Sequence, residues 1–290
     1  MERLAIIGVG LIGGCLALAQ RESGFRGEIV GCNRSAEALQ EALALGVIDR
    51  AESDPVAAVA GADMVVVAVP VGSMERIFGL IKDHLAPDAV VTDVGSTKSS
   101  VVAAARAVWG EVPVNLVPGH PIAGTEKSGV GAAFPTLFRG RKVILTPLPH
   151  TDPAAVDRVD ALWAATGAEV IRMAVEHHDE VLAATSHVPH LVAFALVDTL
   201  ARMDDSWEIF RYAAGGFRDF TRIASSDPVM WHDICFANRD AIFTVLTRLE
   251  NDLDAIRAAI QRGDGAYIKS VFERAKRARD HFSTIFIEKP

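Results

Sequence analysis

The chain has 290 residues, of which 50% are hydrophobic and 23% charged, as in a globular protein large enough for two domains. Its net charge of −8 argues against non-specific binding to nucleic acid or to acidic membranes. Cys15, Cys32 and Cys235 are odd in number and widely spaced, which predicts reduced thiols and a cytoplasmic protein.

The first half of the chain alternates short apolar runs with helical segments. This alternation predicts a doubly wound, mostly parallel sheet of the Rossmann type. The run Asp63–Val69 is apolar and β-branched almost throughout, which is typical of a strand buried on both faces. The predicted strands are Leu4–Gly8, Glu28–Cys32, Asp63–Val69, Ala89–Val94, Val112–Val117, Lys142–Thr146 and Ala168–Arg172, with helices starting near Leu11, Ser35, Ser96 and Asp152.

The second half is helical almost throughout. Between Ile242 and Ile260, apolar residues recur every three or four positions, which marks one face of a helix. A similar pattern continues to the end of the chain. We therefore predict a dinucleotide-binding domain over residues 1–173 and an all-helical domain over residues 174–290.

The most apolar helical stretch runs from about Val181 to Leu200. It contains His187, His190 and Asp198, and polar groups of this kind are costly inside a bilayer. The sequence therefore argues against a membrane span.

A GxGxxG pattern, Gly8-Val9-Gly10-Leu11-Ile12-Gly13, joins the first predicted strand to the first helix. Gly8 allows a tight turn, Gly10 lets the backbone approach a pyrophosphate, and Gly13 allows close packing of helix and strand. The helix that opens at Leu11 and Ile12 offers unpaired N–H groups to the phosphates. The pattern predicts a site for NAD+ or NADP+; a glycine turn without a ligand is the alternative.

The position that usually holds the ribose 2′-hydroxyl with an acid is occupied here by Asn33, followed by Arg34 and Ser35. Asparagine can still bind a hydroxyl, whereas Arg34 could face a 2′-phosphate. These residues favour tolerance of NADP+. The extended segment Val69-Pro70 is expected to pass near the coenzyme.

Five candidate residues follow the ends of predicted strands: Gly8, Asn33, Pro70, Ser96 and His120. If these strands are parallel, all five lie at the carboxyl edge of one sheet. Open α/β sheets bind their ligands at that edge.

His120 lies in the string Gly119-His120-Pro121-Ile122-Ala123-Gly124-Thr125-Glu126-Lys127-Ser128-Gly129, which predicts a loop bounded by glycine and proline. An imidazole suits proton transfer because its pKa is near working pH. A histidine that only hydrogen-bonds a loop carbonyl is the alternative.

This string resembles the signature loop of the prephenate dehydrogenase family, which includes arogenate and cyclohexadienyl dehydrogenases. Three further segments resemble family motifs, in family order: Asp93–Lys98, Ser186–His190 and Gly215–Arg222. The resemblance covers nearly the whole chain. It implies oxidative decarboxylation of prephenate, or of arogenate, with hydride transfer to a nicotinamide coenzyme, and it favours NAD+ over NADP+.

The resemblance implies that His120 accepts the proton of the substrate's ring hydroxyl and that Ser96 orients His120. Ser96 also fits as the N-cap of the next helix, and both roles are compatible. Thr125 and Glu126 are implied at the pocket, with Glu126 as its gate; a solvated surface charge is the alternative for Glu126.

The motif around His187 and His190 places two histidines on one helix face, and Pro189 should kink that helix. The resemblance implies that one of them, His190 in preference to His187, contacts substrate. A buried histidine satisfied by its neighbours is the alternative. We predict no metal site, because no matching carboxylate or cysteine set accompanies the pair.

The resemblance implies that Arg222 binds the side-chain carboxylate of a small dianionic substrate. A guanidinium suits this role because it can form two parallel hydrogen bonds to a carboxylate. Gly216 and Asp219 lie in the same motif, and an exposed Asp219–Arg222 pair is the alternative. Trp231 matches an aromatic residue that closes the pocket, although a lone tryptophan is more often core. The helical domain is implied to form a homodimer.

Two other functions remain open from the sequence. A related β-hydroxyacid or imine-type dehydrogenase would use a lysine or asparagine of the helical domain, and the His120 string argues against it. A catalytically silent dinucleotide sensor would need no combination of Ser96, His120 and Arg222. The sequence does not separate prephenate from arogenate, which differ by a keto and an amino group.

Overall fold

The fold is described from a computed structural model, which covers residues 1–125, 127–204 and 206–287. Six parallel strands form the main sheet in the order β3-β2-β1-β4-β5-β6. The order reverses between β1 and β4, which creates the crevice where such sheets bind ligands. The strands are β1 Arg3–Ile7, β2 Glu28–Cys32, β3 Arg50–Glu52, β4 Met64–Val67, β5 Val90–Asp93 and β6 Leu116–Val117.

Helices cover both faces of this sheet, because alternate strand residues point to opposite sides. Leu4 and Ile6 of β1 belong to one core cluster, whereas Ala5 and Ile7 belong to the other. Helices α1, α2 and α6 pack in the first cluster and α3, α4 and α5 in the second. Their bounds are α1 Leu11–Glu22, α2 Ala36–Ala44, α3 Pro55–Val59, α4 Met74–Ile81, α5 Ser99–Trp109 and α6 Pro153–Ala164.

A second, three-stranded sheet is formed by β7 Gly119–Pro121, β8 Lys142–Leu145 and β9 Glu169–Arg172. Strand β7 is antiparallel to β8, and β8 is parallel to β9. The expectation of one continuous sheet was therefore wrong for the last two predicted strands. β6 ends at Val117, and β7 begins two residues later, so His120 lies in a strand of the small sheet rather than in a loop.

The rest of the chain is helical, as the sequence predicts. Its helices are α7 Val175–Leu182, α8 Val188–Ala201, α9 Ser206–Arg211, α10 Gly215–Thr221, α11 Pro228–Ala237, α12 Arg239–Arg262 and α13 Gly265–Ile287. By contacts, the chain forms two compact units, Met1–Ile242 and Phe243–Pro290. The division into domains at residue 173 stays a prediction.

A π-helical turn, Ala183–His187, connects α7 to α8, and Pro189 occupies the first turn of α8. Proline has no N–H to donate to the preceding helical turn, and the helix widens into a π-helical turn just before it. The run Val175–Ala201 is the one helix in the described part of the chain that is long and apolar enough to cross a membrane. Three polar residues of this run, His178, Asp179 and His187, are buried and hydrogen-bonded.

Candidate active site

The glycine-rich turn after β1 has the shape that a dinucleotide requires. Gly8 has φ +101°, and a Cβ there would lie 2.2 Å from the carbonyl oxygen of Ala68. A Cβ on Gly13 would lie 2.3 Å from the Gly8 carbonyl oxygen. A Cβ on Gly10, by contrast, would meet nothing within 4 Å. Gly8 and Gly13 are therefore fixed by the fold, whereas Gly10 keeps open the approach to the N-terminus of α1, where phosphates bind.

Asn33 follows β2 at the expected edge of the sheet. Its Oδ1 accepts the Ser35 N–H at 3.2 Å, and its Nδ2 donates to the Val9 carbonyl at 3.4 Å. Ser35 caps α2 by accepting the Ala38 N–H, and Arg34 is exposed. The amide of Asn33 therefore connects the glycine-rich turn to the start of α2 without adding a negative charge.

The chain leaves β4 through half-buried Val69 and exposed Pro70 and continues as a short 3-10 turn, Val71–Ser73. A Cβ on Gly72 would lie 2.6 Å from Oδ2 of Asp233, so helix α11 packs on this turn. The segment thus lies at the carboxyl edge of the sheet, as predicted.

His120 is buried and connected to two residues of α7. Its Nδ1 lies 2.9 Å from Nε2 of His178, and Nδ1 of His178 lies 2.8 Å from Oδ1 of Asp179. His178 is fully buried, and Asp179 is nearly so. The three side chains form one hydrogen-bonded relay: Asp179, His178, His120.

The charge of Asp179 fixes the protons along this relay. Burial alone would raise the pKa of Asp179, but hydrogen bonds from His178, Ser99 and Lys98 lower it to about 2. The carboxylate must accept from Nδ1–H of His178, which leaves Nε2 of His178 as an acceptor. Nδ1 of His120 therefore donates to it, and Nε2 of His120 carries the lone pair.

The same surroundings keep His120 uncharged. Burial, followed by the nearby His178 and Lys98, holds the pKa of His120 well below its usual value. His120 is therefore a neutral imidazole at neutral pH, ready to accept a proton or a hydrogen bond at Nε2.

A buried ion pair fixes the strand that carries His120. Nζ of Lys98 lies 2.5 Å from Oδ2 of Asp93 and donates to the Gly119 carbonyl at 2.6 Å. Asp93 also accepts the N–H groups of Gly95 and Gly119. Because both charges are buried, these added hydrogen bonds are what make the pair tolerable. The pair joins the loop after β5 to the first residue of β7.

Ser96 is half-buried in this loop, between Asp93 and Lys98. Helix α5 begins only at Ser99, so the interpretation of Ser96 as its N-cap was wrong. The carboxylate of Asp179 accepts the N–H groups of Lys98 and Ser99, each at 2.8 Å, and thereby caps α5 from another helix. Ser96 is therefore placed by the loop rather than by a helix cap.

A second cluster contains His187, His190 and Trp231. His187 is buried, and its Nδ1 lies 3.0 Å from Nδ2 of Asn238. His190 donates from Nδ1 to the Ser186 carbonyl at 2.8 Å and stacks on Trp231 with ring centroids 3.7 Å apart. The ring of His187 lies edge-on to the same tryptophan, 6.1 Å away. The tryptophan is therefore part of this cluster.

The segment that contains Gly216, Asp219 and Arg222 is exposed. Arg222 begins the 3-10 turn after α10, and its positive charge contributes to lowering the pKa of His190, after burial. Arg222 is thus near the second cluster. Oδ1 of Asp219 lies 4.0 Å from Nε of Arg218, the neighbouring arginine of α10.

The structure thus brings the predicted residues into two clusters within the first compact unit. Ser96 lies in the loop after β5, with its backbone near His187. His120 belongs to the first cluster, and His187, His190, Trp231 and Arg222 belong to the second. Asp179 connects them, because its carbonyl oxygen accepts from Asn238, which also contacts His187. Thr125 is exposed and accepts the Lys127 N–H; Glu126 lies outside the described residues.

The sequence prediction missed His178, Asp179 and Asn238. A signal for the first two was present: Val175, His178, Asp179 and Leu182 have the spacing of one helix face. Two polar residues on the apolar face of a helix indicate a buried polar network. Asn238 follows α11 and carried no comparable signal.

Comparisons with known proteins agree across the chain. Residues 16–172 match the prephenate dehydrogenase nucleotide-binding domain, and residues 174–274 match the prephenate dehydrogenase dimerization domain. Cyclohexadienyl dehydrogenase of Zymomonas mobilis is 37% identical over 281 residues, which are 96% of this chain and 95% of that protein. Prephenate dehydrogenase of Bacillus subtilis is 38% identical over 281 residues, 96% of this chain and 76% of that protein.

A solved structure is also similar over nearly the full length. The crystal structure of prephenate dehydrogenase from Aquifex aeolicus, in complex with hydroxyphenyl propionate and NAD+, has a TM-score of 0.90 and 37% sequence identity. The match covers 97% of this chain and 98% of that one. Fold and sequence therefore lead to the same group of proteins.

Proposed function

Because this chain belongs to the prephenate dehydrogenase family, we propose that it oxidatively decarboxylates prephenate to 4-hydroxyphenylpyruvate with reduction of NAD+. The observation that carries the proposal is the buried relay from Asp179 through His178 to His120. This relay leaves one imidazole nitrogen with a lone pair, on a strand of the small sheet whose Gly119 N–H bonds Asp93 at the carboxyl end of β5. A related β-hydroxyacid dehydrogenase, the alternative function, would use a lysine or asparagine of the helical domain and would not need this relay.

His120 acts as the proton acceptor in this proposal. Its Nε2 takes the proton of the ring hydroxyl as the hydroxyl-bearing carbon becomes a carbonyl carbon. CO2 then leaves the opposite ring carbon, and its bonding electrons enter the ring, which becomes aromatic as the carbonyl π electrons move onto oxygen. That oxygen takes the proton back from His120 and becomes the phenolic hydroxyl of the product. Aromatisation favours the products, so the protein has mainly to hold the substrate and accept the proton.

The glycine-rich turn fits a dinucleotide, since only Gly10 leaves open space at the N-terminus of α1. Gly8, Gly10, Leu11, Ile12 and Gly13 would hold the pyrophosphate. NAD+, when bound there, supplies the acceptor for the hydride that leaves the hydroxyl-bearing carbon. Val69 and Pro70 would border the nicotinamide half of the coenzyme.

Arg222 provides the charge for the substrate's side-chain carboxylate, with His190 and Trp231 beside it. A guanidinium can bind a carboxylate through two parallel hydrogen bonds. Thr125, Glu126, Gly216 and Asp219 complete the proposed substrate pocket. Ser96 would lie near the nicotinamide and the ring hydroxyl and orient His120.

The coenzyme pocket tolerates NADP+ in this proposal. Asn33 carries no charge to repel a 2′-phosphate, and the guanidinium of Arg34 is exposed beside it. Replacing Asn33 by aspartate adds a negative charge at this point. N33D should therefore raise KM for NADP+ about 10-fold or more and leave KM for NAD+ within about 3-fold, measured by following the reduced coenzyme. Equal changes for both coenzymes would contradict the assignment.

The helical part of the chain matches a dimerization domain. We propose a homodimer formed through the C-terminal helices, which expose Phe243, Leu253, Ile260 and Phe272. The protein is proposed to act in the cytoplasm, where Cys15, Cys32 and Cys235 would stay reduced, as they are in the structure.

The proposal is tested by a matrix of steady-state assays, with prephenate and arogenate each against NAD+ and NADP+. The expected result is formation of reduced coenzyme and CO2 with prephenate and NAD+. Binding of NAD+ without turnover of either substrate would identify a dinucleotide sensor instead. Turnover of arogenate alone would correct the substrate and leave the His120 mechanism unchanged.

A further inference from the structure

Asn238 lies at the junction of α11 and α12, and its side chain is buried. Its Nδ2 is 2.8 Å from the backbone carbonyl oxygen of Asp179 and 3.0 Å from Nδ1 of His187. One amide nitrogen thus contacts the relay that serves His120 and the buried histidine of the second cluster.

These two contacts fix the proton of His187. A backbone carbonyl only accepts hydrogen bonds, so the Asn238 atom that faces Asp179 must be the NH2 group. An amide NH2 only donates, so Nδ1 of His187 must accept from it. The single proton of the neutral imidazole then lies on Nε2.

Nε2 of His187 is buried, and in the described part of the chain it meets no hydrogen-bond acceptor in normal geometry. The backbone of Ser96 lies near enough to raise the pKa of His187, but no hydrogen bond of normal geometry joins it to Nε2. A buried N–H without a partner costs free energy, so such a group is typical of a site that binds a ligand or takes part in catalysis. The neighbouring Trp231 Nε1 is likewise buried without an acceptor among the described residues.

We infer that Asn238 is a positioning residue that holds His187 as a neutral hydrogen-bond donor, with Nε2–H directed at an oxygen of the bound substrate. The inference deepens the proposed function and rests on it. His120 and His187 would then present opposite groups to one ligand: His120 a lone pair, His187 an N–H. Both proton positions follow from contacts of Asp179. Its carboxylate determines the proton position on His120 through His178, and its backbone carbonyl determines that on His187 through Asn238.

The surroundings of His187 keep it uncharged at working pH. Burial lowers its pKa to about 4, against the opposing charge of Asp179 and with help from His178 and His190. A neutral donor binds an oxygen without changing its charge between pH 6 and 9. KM for prephenate should therefore be almost independent of pH in this range as far as His187 is concerned.

The tautomer can be tested without any assay. In protein labelled with 15N-histidine, the nitrogen shifts and proton couplings of an imidazole distinguish Nδ1–H from Nε2–H. H187Q assigns the His187 signals by their loss. The inference requires protonated Nε2 and unprotonated Nδ1; a protonated Nδ1 overturns it, whatever the enzyme catalyses.

Asn238→Asp tests the consequence for binding. A carboxylate at this place accepts from Nδ1–H, turns the lone pair of Nε2 toward the substrate, and raises the pKa of His187. KM for prephenate at pH 8 should rise about 10-fold and fall back as His187 is protonated toward pH 6, while KM for NAD+ changes little. In wild type, KM should stay flat over that range.

Two controls separate positioning from folding. N251D introduces the same charge on the exposed face of α12 and should leave both KM values and their pH dependence as in wild type. In the double variant H187Q/N238D, the glutamine amide provides a donor near the place that Nε2 of His187 occupies in wild type. Glutamine has no tautomers and does not titrate, so KM should lose the pH dependence seen in N238D. Prephenate turnover by wild type with a pH-independent KM in N238D would overturn the inference and leave the proposed function standing.

Discussion

The histidine end and the arginine end of the proposed site are built differently. His120 is buried and connected through His178 to Asp179, which also caps α5. Arg222 lies exposed at the end of a short helix. The histidine end is thus held in one protonation state and one orientation before any ligand binds. Substitutions there should lower kcat, whereas substitutions at the arginine end should raise KM.

His120→Asn would test this division most severely. An asparagine keeps the polarity but has no basic nitrogen, so kcat should fall about 1,000-fold, within the usual range for loss of a general base. KM for prephenate and the Kd for NAD+ should change less than about 3-fold. The control H84N replaces an exposed histidine of the same domain and should behave as wild type. A KM effect as large as the kcat effect would refute the division.

Asp179→Asn tests whether the relay, rather than the imidazole alone, is required. The amide cannot satisfy His178 and both N–H donors of α5 together. Turned toward His178, its NH2 group would reverse both tautomers and place a proton on Nε2 of His120. We expect kcat to fall about 100-fold, with a smaller loss for E180Q, which removes an exposed carboxylate from the same helix. Unchanged kcat in a folded D179N protein would exclude the relay.

The relay was only partly predictable from the sequence. The glycine-rich turn and the strands β1, β2, β4 and β5 were predicted because their patterns are local. Strand β7 was missed because its three residues include glycine and proline, and its strand state depends on pairing with β8, more than 20 residues away. His178 and Asp179 share a helix face with Val175 and Leu182, which indicates burial, but only tertiary packing brings that face next to His120.

Arg222→Ala tests the other end. Loss of a charged hydrogen-bond donor to a carboxylate should raise KM for prephenate about 10- to 100-fold and change kcat less than about 5-fold. The matched control is R218A, which removes the same charge from an exposed position of α10. Equal KM increases in both variants would mean that general positive charge, and not the guanidinium of Arg222, attracts the substrate. That outcome would contradict the proposed role of Arg222 as the specific carboxylate-binding residue of the site.

The central claim is that one substrate is held between these ends, with its hydroxyl on His120 and its side-chain carboxylate on Arg222. A crystal structure of the protein with NAD+ and hydroxyphenyl propionate measures this directly. We expect the phenolic oxygen within about 3.2 Å of Nε2 of His120 and the carboxylate at the Arg222 guanidinium. A ligand whose hydroxyl lies away from Nε2 of His120, or whose carboxylate lies away from Arg222, would contradict the account.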